Sequence, residues 1–351
     1  MTDNRAGTSI DKHIGALLSG GFKEFLNFVK THDDLEIAFR GNSNKVTIYY
    51  HNHMMWDLSF SRGNKLKVTV SFNHARYCAD WLTKFDDLKN EGFDVSKCVI
   101  NTIPVRIGNL SCLANSFSVD FVTKTYNVMK DAIDTYFTWS RKHDYFKNTD
   151  ANRKVNLVEK VAQQEIYRYF KNGVEISKDK YLCLYDLEFA QKNAPEGNKP
   201  DFLGIIYNKG FIEQVVMVEV KSLKGALGGS SGIRNHYKGM KNYNSNPVNV
   251  IARIVEAKEY LAKLHKLGLR ESWVKNGLTN AIIANLPQTV AGTIGNVIFL
   301  TDEVCECYKW RKSSHRKSLY RKGRCPIILF YYDYESALRK GKSGYSWFSI
   351  Y

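Results

Sequence analysis

Apolar positions recur with different periods along the chain, and each period predicts a type of element. Helical spacing predicts helices over residues 9–31 and 118–145, and alternation predicts strands within 34–73, with a turn at Arg62–Lys65. Asn73 is expected to cap a further helix, because an apolar stripe follows it at helical spacing. That stripe consists of Ala75, Cys78, Trp81, Leu82, Phe85 and Leu88. These elements predict an N-terminal α+β domain.

A polar segment at 147–154 has no apolar period and is expected to link two domains, 1–147 and 148–351. A chain of 351 residues is long enough for two cores. The second domain is expected to open with a helix that Asn156 caps, with Glu159 at the capping-box spacing. The later elements follow in this order: the end of that helix at Lys171–Gly173, a strand at 181–190, a hairpin at 201–223, helices near 233–243 and 248–268, and strands at 296–303 and 326–335.

Two charged residues interrupt an apolar run in the predicted hairpin. Residues 215–220 have the pattern of a strand that is covered on both faces, yet Glu219 and Lys221 fall at its end. Residues two apart on a strand point to the same face, so these two side chains should emerge side by side. With a turn at 208–210, the hairpin is expected to bring Asp201 beside Glu219, which would form an oxygen-lined site suited to Mg²⁺.

The residues Pro200-Asp201 and Glu219-Val220-Lys221 resemble the motif of the PD-(D/E)XK nuclease superfamily, and the resemblance covers about residues 150–335. It implies an α/β fold with a C-terminal restriction-endonuclease-like αβββαβ core, a mixed central sheet and an N-terminal α+β accessory domain. It also implies that Asp201, Glu219 and the main-chain carbonyl of Val220 bind Mg²⁺ or Mn²⁺. Lys221 would then lie next to the attacking water.

The resemblance implies a further carboxylate on the first helix of the second domain, and this helix offers two. An early position in the helix favours Glu159, whereas a place in the middle of the apolar face favours Glu165. We prefer Glu159. Glu188, near the end of the strand predicted at 181–190, is a third carboxylate that could reach the metal ions. The alternative is that Glu188 is only a charged residue on an edge strand.

Residues downstream of the motif are candidates for contacts with nucleic acid. Ser231 and His236 lie where the second helix of the resembled fold would begin, and backbone amides there can hold a phosphate oxygen. A later segment, which we call the basic segment, interleaves cations with Trp310 and Tyr320, a mixture that suits phosphate contacts and base stacking. Its cations are Lys309, Arg311, Lys312, Arg316, Lys317, Arg321, Lys322 and Arg324.

The charge of the chain supports a polyanionic partner. The formal net charge is +16, of which residues 1–145 contribute +2 and residues 146–351 contribute +14. The excess therefore lies in the half that contains the motif, as a nucleic-acid enzyme requires. Seven dispersed cysteines and the absence of a secretory or membrane-spanning apolar run predict a cytoplasmic protein with reduced thiols.

Two other patterns are weaker candidates for metal binding. Cys305 and Cys307, with His315 and Cys325, do not have the spacing of common zinc ribbons. The contiguous His51-Asn52-His53 differs from the dispersed residues of HNH nucleases, although two histidines on one strand face could bind a metal. Neither pattern enters the predicted site.

These observations predict a metal-dependent DNA endonuclease of restriction or phage-defence type. A nucleic-acid-binding protein on an inactive nuclease fold is one alternative. Another is a nuclease that acts on RNA or only within a larger complex. The near-neutral N-terminal domain would recognise the target or dock a protein partner, and cutting of both strands would suggest a homodimer.

Overall fold

The computed structural model describes most of the first 142 residues and the principal elements of the rest. The chain is mixed α/β, as predicted, and divides into two compact units within Asn4–Lys154 and Val155–Tyr351. The predicted domain boundary, between residues 147 and 148, lies outside the described residues. The described residues are 7–96, 108–142, 163–164, 166–187, 200–208, 210–221, 239–240, 242–270, 273, 277–286, 294–301, 327–332 and 345–350.

The N-terminal unit contains a five-stranded antiparallel sheet in which neighbouring strands follow chain order. Strand β4 alternates buried and half-buried residues, which is the pattern of a strand with one covered face. The pattern at 34–73 predicted four of the strands, whereas β5 was not predicted. The strands are β1 (Leu35–Arg40), β2 (Lys45–Tyr50), β3 (His53–Phe60), β4 (Leu66–Ser71) and β5 (Asn109–Ala114).

Helices pack on this sheet through aromatic side chains. The Phe25 ring meets the Trp56 ring edge to face, with centroids 5.2 Å apart, and both side chains are fully buried. The indole Nε1 of Trp56 donates a hydrogen bond to Oγ1 of Thr125 at 3.2 Å, so its polar atom is also satisfied. The helices are α1 (Asp11–Leu18), α2 (Lys23–Thr31), α3 (Trp81–Asn90) and α4 (Val119–Lys142).

The prediction that Asn73 caps a continuous helix is wrong. A short 3₁₀ helix covers Phe72–Tyr77, the chain extends at Cys78, and α3 begins only at Trp81. The Oδ1 atom of Asn73 instead accepts a hydrogen bond from the main-chain N–H of Gly108 at 2.9 Å. A partner distant in sequence therefore takes the acceptor that a local cap would have used.

Within the string His51-Asn52-His53, the first two residues form a hairpin turn and the third begins a strand. His51 and Asn52 have φ angles of 47° and 57° and lie between β2 and β3, and His53 is the first residue of β3. Two successive residues with positive φ are typical of the two-residue turns that match the twist of paired strands. The two histidines therefore do not lie on one strand face.

The C-terminal unit contains a seven-stranded mixed sheet in the order β12-β11-β10-β9-β8-β7-β6. Strands β6 to β9 pair antiparallel with their neighbours in chain order, β9, β10 and β11 are parallel, and β12 is antiparallel to β11. Strands β6 and β12 were not predicted. The strands are β6 (Val174–Ser177), β7 (Lys180–Leu187), β8 (Phe202–Tyr207), β9 (Ile212–Lys221), β10 (Gly295–Thr301), β11 (Ile327–Tyr332) and β12 (Tyr345–Ile350).

Helices precede and follow the antiparallel strands of this unit. Residues 163–164 and 166–170 are helical, and we call them the leading helical segment. It ends as predicted, where Gly173 adopts a φ of 80°. Helix α5 (Pro247–Lys266) begins after Asn246, whose Oδ1 atom accepts a hydrogen bond from the N–H of Val248 at 3.0 Å, and it packs on β9. Helix α6 is the short element Asn280–Ala284.

Gly204 allows β7, β8 and β9 to pack closely. A Cβ atom at this position would lie 2.8 Å from the main-chain oxygen of Cys183 and 3.1 Å from Cγ2 of Val216. A real Cβ essentially never approaches a main-chain oxygen so closely. Gly204 therefore fixes the spacing of the strand that follows Asp201.

Candidate active site

Asp201 lies where β8 begins, and hydrogen bonds reach both oxygens of its carboxylate. Oδ2 accepts a hydrogen bond from the main-chain N–H of Val220 at 2.6 Å. Oδ1 accepts one from the side-chain Nε2 of Gln163 at 2.7 Å. Asp201 is therefore held between β9 and the leading helical segment, and it remains partly exposed.

Glu219 lies opposite Asp201 in the register of the hairpin. Phe202 pairs with Val218 in the antiparallel ladder, so one further step sets Asp201 against Glu219. Residues directly opposite each other share a sheet face, with Cβ atoms about 4.5–5.5 Å apart. Glu219 is only 2% exposed, and every residue from 215 to 220 is buried. The hairpin thus brings two carboxylates to one face, at the end of two buried strands.

The turn of this hairpin is encoded locally by Asn208, and the register then shifts by one residue between Ile206 and Tyr207, before the site. Its Oδ1 atom accepts hydrogen bonds from the main-chain N–H groups of Gly210 at 2.8 Å and Phe211 at 3.0 Å. Its main-chain N–H also donates to the carbonyl of Phe211 at 3.1 Å. An Asn side chain that replaces a backbone acceptor in this way is a common turn former. The turn predicted at 208–210 is therefore present.

Lys221 is the last residue of β9, and its main chain lies opposite Leu300 of β10 in the parallel pair. The other predicted site residues lie outside the described residues. They are Glu159, Glu165, Glu188, Ser231 and His236, together with Lys309, Arg311, Lys312, Arg316, Lys317, Arg321, Lys322 and Arg324 of the basic segment. The Cys305–Cys325 pattern also lies there.

Gln163 is a site neighbour that the sequence patterns did not indicate. Gln163 and Gln164 are 7% and 2% exposed, although glutamine is usually a surface residue. Two adjacent glutamines in a helical sequence that also carries charged residues are a weak signal of buried polar contacts. The sequence does not indicate which residue Gln163 contacts; the structure shows that it is Asp201.

Asp186 is a second acid that the patterns missed. It is fully buried in β7, and its Oδ1 atom accepts a hydrogen bond from the hydroxyl of Tyr260 in α5 at 2.9 Å. The register of β7 against β8 shifts between Leu184 and Asp186, as at a β-bulge. An acid inside the apolar run of β7 is the same type of signal that identified Glu219.

A buried polar cluster surrounds this hydrogen bond. The guanidinium of Arg253 forms an ion pair with Glu256 on the same helix and donates from Nη2 to the hydroxyl of Tyr243 at 3.0 Å. Burial raises the pKa of the Tyr185 phenol well above its usual value, and Glu256 adds to this effect. Removing one member of a buried pair costs several kcal/mol, about 3–5. Within this cluster, the hydrogen bond from Tyr260 to Asp186 links α5 to β7.

The oxygen atoms at the end of the hairpin fit a hard divalent cation. The Asp201 and Glu219 carboxylates and the main-chain carbonyl of Val220 are ligands of the type that Mg²⁺ prefers. Across the described part of the chain, no three His, Cys, Asp or Glu side chains come together as a metal-binding group. Two carboxylates are nevertheless enough for a Mg²⁺ site, because Mg²⁺ is usually bound through one or two carboxylates, with water and substrate phosphates as the other ligands.

Comparison of the chain with protein-family models, with curated proteins and with solved structures finds no match. Among the helices in the described ranges, none combines the length and apolar character needed to cross a bilayer.

Proposed function

We propose that the chain is a metal-dependent nuclease of the PD-(D/E)XK type that hydrolyses phosphodiester bonds in DNA. The observation that carries the proposal is the position of Asp201, which accepts a hydrogen bond from Val220 and comes one residue before Phe202, whose ladder partner Val218 precedes Glu219. This arrangement combines two carboxylates with a main-chain carbonyl at the end of β9, where Lys221 follows.

The order of elements in the C-terminal unit supports the proposal. A helical segment precedes four antiparallel strands, β6 to β9, and α5 and α6 lie between β9 and β10, which is parallel to β9. With β7, β8 and β9 as the three core strands, and β6 and α6 as additions, this order is compatible with the αβββαβ core of the restriction-endonuclease-like fold. The motif residues also fall at the corresponding positions, at the start of the second and the end of the third of these strands.

The proposed chemistry assigns a role to each motif residue. Bound Mg²⁺ or Mn²⁺ would neutralise phosphate charge and favour ionisation of water. Asp201, Glu219 and the carbonyl of Val220 would hold the ion. Lys221 would orient the attacking water or stabilise charge on the pentacovalent transition state.

Gln163 bears on the choice of the additional helix carboxylate. Glu159 precedes Gln163 by four residues, the spacing that places two side chains on one helix face. Glu165 follows it by two residues, a spacing that directs side chains to different faces. Because Gln163 contacts Asp201, we retain Glu159 as the proposed fourth residue of the site.

Charge supports nucleic acid as the substrate class. Residues 146–351 contribute +14 to the net charge of +16, and we propose that the basic segment contacts DNA phosphates. The N-terminal unit, which is nearly neutral, would recognise the target or dock a protein partner. Cleavage of both strands would suggest a homodimer.

A cleavage assay with single-stranded DNA, double-stranded DNA and RNA in Mg²⁺ or Mn²⁺ tests the proposal. Asp201→Asn and Glu219→Gln should each abolish cleavage, because each removes a negatively charged ligand. Glu213→Gln is a matched control, since Glu213 lies on the same strand but pairs with Lys180 at 2.8 Å. It should cleave like the wild type.

One observation favours a binding protein without catalysis as the second candidate. Both Asp201 oxygens accept hydrogen bonds from the protein itself, as they would in a purely structural cluster. Nucleic-acid binding without cleavage under every metal and substrate would support that function. Cleavage of RNA alone would instead support a ribonuclease, and cleavage only after a protein partner is added would support a nuclease that acts within a complex.

A further inference from the structure

Gln163 joins the leading helical segment to the candidate active site through one hydrogen bond. We propose that Gln163 is a positioning residue, which sets the orientation of the Asp201 carboxylate for metal binding. This inference rests on the proposed function. It adds a residue that the PD-(D/E)XK motif does not include.

The geometry of the two donors carries the inference. The terminal torsion of an aspartate has a broad energy profile, so a carboxylate with one hydrogen bond can still rotate. In Asp201 the Val220 N–H holds Oδ2 at 2.6 Å and the Gln163 amide holds Oδ1 at 2.7 Å. Donors on separate elements that reach separate oxygens fix the plane of the carboxylate.

A hydrogen bond from Gln163 is compatible with metal binding by the same carboxylate. An ionised carboxylate has about four lone-pair sites, so each oxygen can accept a hydrogen bond and retain a second site. Groups that hydrogen-bond to metal ligands orient them, and their loss reduces metal affinity or activity by about 10–100-fold. Gln163 makes this type of hydrogen bond.

The burial of Gln163 makes its amide difficult to replace by water. The residue is 7% exposed, and Ile166, Tyr167 and Phe170 of the same segment are buried as well. An exposed donor could be exchanged for a water molecule at little cost. A buried donor on a packed helix imposes a fixed direction, which a metal ligand requires.

Gln163→Met tests the inference, because methionine keeps the length of the side chain and removes the donor. Gln164→Met is the matched control, since it makes the same change at the neighbouring buried position. Mn²⁺ binding to each variant of the full chain is measured by isothermal titration calorimetry, with thermal unfolding without metal as a check of folding. We expect Gln163→Met to raise the Mn²⁺ dissociation constant about 10-fold or more, with Gln164→Met close to the wild type.

Each outcome separates this inference from the proposed function. If Gln163→Met binds Mn²⁺ as tightly as the wild type, and the wild type cleaves nucleic acid, the positioning role is overturned and the proposed function is not. Equal weakening in both variants also overturns it, because that result indicates general helix packing. A wild-type protein that neither binds Mn²⁺ nor cleaves nucleic acid overturns the proposed function, and the inference with it.

Discussion

The hydroxyl of Tyr260 donates a hydrogen bond to Oδ1 of Asp186 at 2.9 Å and thereby joins α5 to β7. Both residues are fully buried. A buried carboxylate that is deprived of a donor keeps its desolvation cost without the compensating hydrogen bond, so this bond should matter for stability. It is also independent of the proposed metal ligands.

Tyr260→Phe should lower the free energy of unfolding of the C-terminal unit by about 1–3 kcal/mol, measured by urea denaturation. Tyr185→Phe is the matched control. The Tyr185 hydroxyl is buried and has no hydrogen-bond partner within the described ranges, so its removal should leave stability unchanged or raise it. Equal losses of stability in the two variants would contradict the role assigned to the Tyr260 hydroxyl.

His13 should make the stability of the N-terminal unit dependent on pH. Burial lowers the pKa of His13 to about 4 from an ordinary value near 6.5. Between these values the unfolded chain binds the proton and the folded chain does not. The stabilising contribution is therefore fully present above pH 6.5 and is lost as the pH falls towards 4, by on the order of 3 kcal/mol.

Thermal unfolding at pH 7.5 and pH 4.5 measures this effect. His13→Leu should show a smaller loss of unfolding temperature between the two pH values than the wild type. Ile14→Ala, which opens a gap at the next buried position of α1, should lower the unfolding temperature without changing the pH dependence. An unaltered pH dependence in His13→Leu would rule out His13 as the titrating group.

Lys221→Ala should reduce the rate of DNA cleavage in Mg²⁺ by about 100-fold or more, because it removes the cation proposed to act on the transition state. Binding of DNA in Ca²⁺ should remain close to that of the wild type. Lys180→Ala, at a partly exposed lysine on β7, is the control and should cleave normally. Full activity in Lys221→Ala would remove this lysine from the mechanism.

Neutralising cations of the basic segment should weaken DNA binding similarly for all sequences. A plot of log affinity against log salt concentration, measured by fluorescence anisotropy, has a negative slope. The magnitude of this slope should decrease by about 0.9 for each DNA phosphate that the protein no longer neutralises. The substituted positions are Arg316, Lys317, Arg321 and Lys322.

The control for that experiment makes four glutamine substitutions at exposed lysines of the N-terminal unit. These substitutions should leave the salt dependence unchanged, since we assign the phosphate contacts to the C-terminal half. A slope that is the same in both variants would exclude the basic segment from the interface. The control lysines are Lys23, Lys30, Lys65 and Lys89.

The hairpin of the candidate site could be predicted because its signals are local. Asn208 forms the turn and the apolar run of β9 predicts a covered strand, whereas the register beside Asp201 also depends on an irregularity between Ile206 and Tyr207 that no sequence pattern indicated. Gln163 and Asp186 could not be predicted, because their partners belong to elements distant in the chain. Asn73 shows the same limit, since the amide of Gly108 replaces the predicted cap.

Strands β5, β6 and β12 were not predicted, and for β5 and β12 the reason is related to this one. Strand β5 has an uneven pattern in which Leu110 is buried and Leu113 is 53% exposed, so its alternation is weak. Its pairing with β4 determines its conformation more than its own side chains do. Strand β12 likewise pairs only with β11 at one edge of the sheet.

The strand order of the C-terminal unit has a consequence for the order of folding. Strands β6 to β9 pair with their chain neighbours, whereas β10 can join β9 only after the intervening helices have closed a long loop. We therefore expect amide hydrogens of β8 and β9 to gain protection from exchange before those of β10 during refolding. The two carboxylates would then meet before the parallel half of the sheet has assembled.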